Sequence, residues 1–306
     1  MKFKIDFSPP IQPIINYKIP IMAIGSCFSE NMAKNLANHC FKVCNNPNGI
    51  VYNPISIAAS LQRALQMTPY SENDLVFLND VWYSWHHHGC HSHTDRQMLI
   101  NKINKNQSEM IDIISKPKVN IIVTLGSAWV YEKYGEVVAN CHKFPANHFQ
   151  KRMLQVDEIV GAFSQVINRS MNAQYLFTVS PVRYVRDGLH ENNLSKSVLH
   201  LAVQQLVSQY DNCFYFPSYE IVMDELRDYR FFEKDFVHPN NLAIEYVWER
   251  FCENVLDEET KEMVHLWKPI LVMKNHVLLN QNTAESKKFL NQLEQREKEF
   301  NKKFFA

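Results

Sequence analysis

Two short segments, far apart in the chain, carry residue types able to act together as nucleophile and base. Gly25-Ser26-Cys27-Phe28 offers a hydroxyl and a thiol directly after a glycine, and Asp235-Phe236-Val237-His238 offers a carboxylate close to an imidazole. At that separation the carboxylate can accept from one ring nitrogen and fix the tautomer, leaving the other nitrogen as a base. A cysteine opening a helix faces backbone N–H groups that stabilise anions, so the expectation is a thiol with a lowered pKa and high reactivity. Each segment also has a plainer reading. Gly25 permits a turn, Ser26 caps a helix and Cys27 is a small buried residue, while Asp-x-x-His is a common surface loop.

Three further features offer chemistry. The run His86-His87-His88-Gly89-Cys90-His91-Ser92-His93 resembles a metal site at first sight. Consecutive histidines on a strand point to alternate faces, so one tetrahedral site would need ligands from elsewhere. The expectation is structural histidines, no metal and no cofactor, with a metal-dependent hydrolase as a rival reading. Arg183, in Ser180-Pro181-Val182-Arg183, could grip a substrate carboxylate or phosphate or sit in an ion pair. His142, in Asn140-Cys141-His142-Lys143, is a candidate loop histidine of the site.

These residues need a frame, and the apolar pattern supplies one. Ile21 to Ile24 is a short apolar run ending in Gly25, which reads as a buried strand feeding a tight turn. Phe28, Met32 and Leu36 recur every four residues, so a helix opens directly behind that turn. Further apolar runs at Phe41–Cys44, Val119–Leu125, Tyr175–Val179 and Cys213–Phe216 alternate with amphipathic stretches near Ile55–Leu65, Val156–Met171 and Leu194–Ser208. Strands alternating with helices predict a flavodoxin-like, three-layer α/β/α sandwich on a parallel sheet, with ligands beyond the carboxyl ends of the strands. The Asp235–His238 segment precedes an apolar helix containing Leu242, Ile244, Val247 and Phe251, so it too is a loop entering a helix.

Two regions interrupt the alternation. Residues 72–95 read as an inserted hairpin, with Asn79-Asp80 as the turn between β-prone runs. Residues 131–150 read as a loop-like excursion. Glu285–Lys303 reads as a solvated helix with one apolar stripe. The expected division is an α/β domain over 1–256 and a helical extension over 257–306.

With these segments in place, the chain resembles the GSCFA domain family, a branch grouped with the SGNH/GDSL hydrolases. The resemblance rests on Ile24-Gly25-Ser26-Cys27-Phe28-Ser29, Asn48-Gly49-Ile50-Val51-Tyr52-Asn53-Pro54, Thr124-Leu125-Gly126-Ser127-Ala128, Asn140-Cys141-His142-Lys143, Ser180-Pro181-Val182-Arg183, Phe216-Pro217-Ser218-Tyr219-Glu220 and Asp235-Phe236-Val237-His238-Pro239. It runs from about residue 20 to 255. Carried across, it implies that Cys27 takes the nucleophile position, with Ser26 as the alternative, and that Asp235 and His238 complete the pair. It also implies Gly49 as the oxyanion-hole glycine. The sequence departs from the SGNH pattern where an asparagine would donate to the oxyanion, since the matching strand end reads Gly126-Ser127-Ala128. Ser127, the Gly126 backbone, His142 or Asn48 are the candidate substitutes.

Composition bounds the rest. The chain has 306 residues, 46% of them hydrophobic, enough for a sizeable core. Its formal net charge of zero argues against a generic nucleic-acid binder, which needs a basic excess. Seven cysteines without a C-x-x-C pair fit reduced thiols better than a zinc ribbon or a disulfide framework. No run approaches the ~20 apolar residues of a membrane span and none at the start suits a signal peptide, so the cytoplasm is expected. The oligomeric state is left open. The expected function is an acyl-ester hydrolase or acyltransferase acting on a small-molecule or glycan acyl ester. The alternative is a non-catalytic carbohydrate- or nucleotide-sugar-binding protein on the same scaffold.

Overall fold

The computed structural model describes residues 14–280 and 282–305. Strand β1 (Ile21–Gly25) runs into helix α1 (Cys27–Asn38), followed by β2 (Val43–Asn45) and α2 (Pro54–Leu65). A hairpin of β3 (Leu75–Leu78) and β4 (Val81–Ser84) precedes α3 (Arg96–Ile114) and β5 (Val119–Leu125). Strands β6 (Trp129–Lys133), β7 (Glu136–Val138) and β8 (Gln150–Met153) come next, then α4 (Val156–Ile167), β9 (Ala173–Val179) and α5 (Leu189–Gln209). Strand β10 (Cys213–Tyr215), a single turn α6 (Ser218–Glu220), and helices α7 (Asn241–Val255), α8 (Glu258–Lys274) and α9 (Ala284–Phe304) follow.

The five long-range strands pair in parallel in the order β10-β9-β5-β1-β2. Counting only these five, the order is 2-1-3-4-5, that of a doubly wound sheet. Winding reverses between β1 and β5, which are in register from Ile21↔Asn120 to Gly25↔Thr124. All seven residues of β5 are buried, as a strand covered on both faces requires. The period of two sorts β1 between two cores. Met22 and Ile24 face the layer of α2, α3, α4 and α5, against Ile57, Leu61, Met110, Phe163 and Leu199. Ile21 and Ala23 face the other layer, with Phe28 and Leu36 of α1, Phe251 of α7, Trp267 of α8 and Phe300 of α9. Truncating a fully buried aromatic such as Phe251 to alanine costs about 3–5 kcal/mol, so α7 is firmly held.

The inserted hairpin is present, with β3 and β4 antiparallel from Leu75↔Ser84 to Leu78↔Val81. Asn79 and Asp80 both take positive φ, 49° and 61°, as a two-residue primed turn demands. Helices α8 and α9 occupy the region expected to be helical. The expectation of a loop at 131–150 is corrected: β7, β6 and β8 form a three-stranded antiparallel sheet. Its first turn is Tyr134-Gly135, with φ of 55° and 83°, so a tyrosine rather than asparagine takes the left-handed position and conceals the hairpin signal. Helix α3 also lies where the apolar pattern does not mark a helix. Its buried stripe is Leu99, Ile103, Gln107, Met110 and Ile114, and the glutamine in the middle breaks the apolar periodicity. Among the described residues no helix is long and apolar enough to cross a membrane.

Candidate active site

The first catalytic candidates sit where β1 meets α1, beside the reversal of winding. Gly25 has φ of +142°, and a Cβ there would lie 2.2 Å from the carbonyl oxygen of Thr124 on β5. Only glycine allows the two strands to meet this closely and the chain to turn at once. The Ser26 N–H then donates to the same carbonyl at 3.1 Å. Ser26 is the N-cap of α1: its Oγ accepts from the Phe28 N–H at 3.3 Å, and the residue is buried. Cys27 is the first helical residue and only partly covered.

The expected low pKa of Cys27 is not found. Burial pushes the thiol above its ordinary value. The N–H groups of Phe28 and Cys27 and the cation of Lys196 pull the other way without outweighing it. Helix N-terminal stabilisation is worth little where the thiolate would lose its water.

The second segment is a self-bracing loop. Asp235 Oδ1 accepts the N–H groups of Val237 at 2.9 Å and His238 at 3.0 Å, while Oδ2 meets His238 Nδ1 at 2.7 Å. These bonds, the one to the His238 ring foremost, hold the Asp235 carboxyl down to about 2. Phe236 between them is left-handed, with φ of 57°. The loop is tied to the end of β9 by the Arg183 N–H donating to Val237 O at 3.3 Å, and to α7 by Asn240, which caps that helix and donates to Arg230 O at 2.7 Å. With Nδ1 given to Asp235, His238 presents Nε2, which bonds no other described group.

Both segments open on one cavity of about 340 Å³. Ser26 and Cys27 line it from the β1–α1 turn, Tyr52 from the loop before α2, Gly126 from the end of β5, Ser180 and Arg183 from the end of β9, and His238 from its own loop. The cavity thus lies at the carboxyl ends of the strands, at the switch point.

Other candidates lie elsewhere. The Gly49 N–H donates to Asn46 O at 2.7 Å, and a Cβ on Gly49 would strike His88 at 2.5 Å, so this glycine packs the loop against the histidine run and does not line the Cys27 cavity. Asn48 is buried and spends its amide on Ser60 and on the Tyr70 hydroxyl at 3.2 Å. At the end of β5 the N–H groups of Gly126 and Ser127 both go to the Tyr52 carbonyl, at 2.9 and 3.2 Å. Ser127 and His142 line a neighbouring cavity of about 370 Å³ instead. There His142 is anchored through Nε2 to Ser84 O at 2.7 Å and flanked by Tyr83 and Trp85. Within the histidine run, His87 is fully buried against Tyr70 and His91, and the partly exposed His86 lies beside Asp74. Among the described residues no three metal-ligating side chains converge.

Three residues of the cavity region escaped the sequence reading. Tyr52 lines the cavity with its hydroxyl pushed above the ordinary value by burial first and by nearby Cys27 second, and that hydroxyl bonds no other described group. Arg186 lines both cavities. Lys196 of α5 is fully buried beneath the strand ends, its Nζ donating to Gly126 O and Ser180 O at 2.7 Å each. Desolvation pulls it down to about 7, with the nearby Cys27 opposing. A signal for it exists, because Lys196 falls on the buried stripe Asn192, Ser195, Leu199, Ala202, Val203 and Leu206, where a lysine is out of place.

Residues 20–251 of the chain match the GSCFA family. Comparison with curated proteins and with solved structures returns no match.

Proposed function

The chain belongs to the GSCFA family, and from that premise we propose that it is an acyl-ester hydrolase or acyltransferase of SGNH type working through a covalent acyl-enzyme on Cys27. One observation carries the reading: Cys27 and His238 line the same cavity while Asp235 holds the imidazole through Nδ1 at 2.7 Å.

In this mechanism His238 Nε2 takes the thiol proton as Sγ bonds to the ester carbonyl carbon and the carbonyl π pair moves to oxygen. The N–H group of Cys27, at the start of α1, holds the oxyanion together with the Tyr52 hydroxyl. Tyr52 supplies the donor that an asparagine gives in other SGNH enzymes, and the role expected for Gly49 passes to the α1 N-terminus, because the Gly49 N–H is engaged with Asn46. Collapse breaks the ester C–O bond, and the leaving oxygen receives the proton from Nε2. Water, or an alcohol in the transferase case, then adds to the thioester and gives its proton to Nε2. The sulfur leaves and recovers that proton. The raised thiol pKa fits a neutral resting cysteine that loses its proton only as it attacks. Ser26 is the weaker nucleophile candidate, since its oxygen accepts the cap bond. A small-molecule or glycan acyl ester is the substrate class by fold-level analogy, and the chemistry needs no cofactor.

One observation favours the alternative of a binding protein on this scaffold: the strand-end N–H groups of Gly126 and Ser127 are already spent on Tyr52. Turnover of p-nitrophenyl acetate separates the two. The hydrolase reading expects Cys27→Ala and His238→Ala each to lower kcat/KM by at least ~10²-fold. Activity that survives both substitutions would overturn it.

A further inference from the structure

The cavity holding Cys27 and His238 is also lined by two guanidinium groups, Arg183 and Arg186. Neither meets a carboxylate among the described residues. Other arginines do meet carboxylates, Arg63 with Asp74 at 3.1 Å, Arg96 with Glu72 at 3.1 Å, Arg152 with Glu132 and Glu158 at 2.7 Å each, and Arg230 with Asp228 at 2.9 Å, and none of these four lines the Cys27 cavity. Two arginines without a carboxylate partner among the described residues thus line the cavity that holds Cys27 and His238.

Arg183 is fixed in place by its neighbours. Its guanidinium lies 4.4 Å from the ring centre of Phe232 and 5.5 Å from that of Tyr229, and one nitrogen donates to Phe236 O at 3.3 Å. Stacking fixes the plane and consumes none of the N–H donors, and the single bond leaves most of the fork unused. Beneath the floor, the Lys196 amine donates to the carbonyls of Gly126 and Ser180 and meets no carboxylate among the described residues. Three acids near the cavity have partners of their own: Asp235 with His238, Asp187 with Lys151 and Glu30 with Lys34. In a chain of zero formal net charge this is a local cationic surplus, and a cleft lined by one sign of charge concentrates ligands of the other.

We infer that the substrate of this site carries an anionic oxygen group, carboxylate or phosphoryl, gripped by Arg183 and Arg186 beside Cys27. The inference rests on the acyl-transfer reading for what then happens to that substrate, whereas the grip itself needs no turnover. Planar guanidinium forks recognise both kinds of oxyanion, and charge-assisted bonds of this type are worth roughly 10- to 100-fold in affinity.

The test uses two alkylating reagents with the same reacting carbon, anionic iodoacetate and neutral iodoacetamide, with modification resolved by peptide mass spectrometry. Exposed Cys90 is the internal reference. The ratio of iodoacetate to iodoacetamide rate at Cys27 should exceed that at Cys90 by ~10-fold or more. It should fall part of the way in Arg186→Gln, an exposed position whose substitution leaves the fold intact, and to the Cys90 value in Arg183→Gln/Arg186→Gln. Succinate and inorganic phosphate, added as competitors, distinguish a carboxylate site from a phosphoryl site by which of them protects Cys27. Should neither reagent reach Cys27, the rise in thermal midpoint with succinate or phosphate decides: present in the wild type and absent in the double variant supports the inference, and no rise overturns it. A Cys27 ratio no higher than that of Cys90 in the wild type, or one unmoved in the double variant, also overturns it. An anion preference that persists while His238→Ala leaves alkylation and ester turnover untouched would sink the acyl-transfer reading alone.

Discussion

His238 Nδ1 stands 2.7 Å from Asp235 Oδ2, and the other oxygen of the same carboxylate accepts the N–H groups of Val237 and His238 itself. Both side chains are about half exposed, so the pair contributes little to folding stability, and its value lies in orientation. Asp235→Asn keeps the shape but permits the wrong tautomer. The expected outcome is a fall in kcat/KM toward p-nitrophenyl acetate of ~10²- to 10⁴-fold with an unchanged thermal midpoint. Full activity in the Asp235→Asn variant would remove Asp235 from the mechanism.

The cap and the nucleophile candidate can be separated. Ser26→Ala removes the oxygen that accepts the Phe28 N–H, so about 1 kcal/mol of stability should be lost in urea titration, with turnover kept within about tenfold. Cys27→Ala should do the reverse. Abolished turnover in Ser26→Ala with turnover retained in Cys27→Ala would assign the nucleophile to Ser26.

Gly25 should tolerate nothing larger. Gly25→Ala places a methyl 2.2 Å from the Thr124 carbonyl oxygen at φ of +142°, so β1 and β5 must separate at the floor of the cavity. A loss of at least about 2 kcal/mol is expected, with turnover falling alongside it. Unchanged stability would mean that the close approach of β1 to Thr124 is not a feature of the folded protein.

Buried Lys196 should leave a signature in the pH dependence of stability. Its folded value near 7 lies below the ordinary 10.5, so between those limits the unfolded chain holds a proton that the folded chain lacks. Stability contributed through Lys196 therefore rises with pH across that window, and the cost of burying the ammonium is fully present below about 7. Lys196→Met removes the titration. The wild-type minus variant difference in unfolding free energy should climb by up to ~1.4 kcal/mol per pH unit above pH ~7. A difference that stays flat from pH ~6 to ~9 would contradict the assignment.

Much of the frame was legible because it depends on strong, local signals. The apolar runs at Ile21–Ile24 and Val119–Leu125 become β1 and β5, whose burial on both faces leaves no polar alternation to confuse the period. The glycine ending β1 and the apolar helix behind Asp235–His238 placed both loops at strand ends. What could not be read were effects of the third dimension. The hairpin at Tyr134-Gly135 uses a tyrosine in the left-handed region, and α3 buries Gln107 in its stripe. Gly49 and Asn48 match the family pattern in sequence, yet their polar groups are spent on Asn46, Ser60 and Tyr70. The direction of the Cys27 shift turns on how much water the cavity wall removes, which no tripeptide reports. Tyr52 and Lys196 reach Cys27 only because the ends of β1, β5 and β9 meet there.

In the proposed mechanism Cys27 carries the acyl group, and mass analysis of the protein during turnover of p-nitrophenyl acetate tests this most directly. The mechanism predicts one acetyl group on the peptide containing Cys27, formed rapidly in the wild type and much more slowly in His238→Ala. An acetyl group on Ser26, or acetylation spread over the seven cysteines at rates that ignore His238, would contradict it.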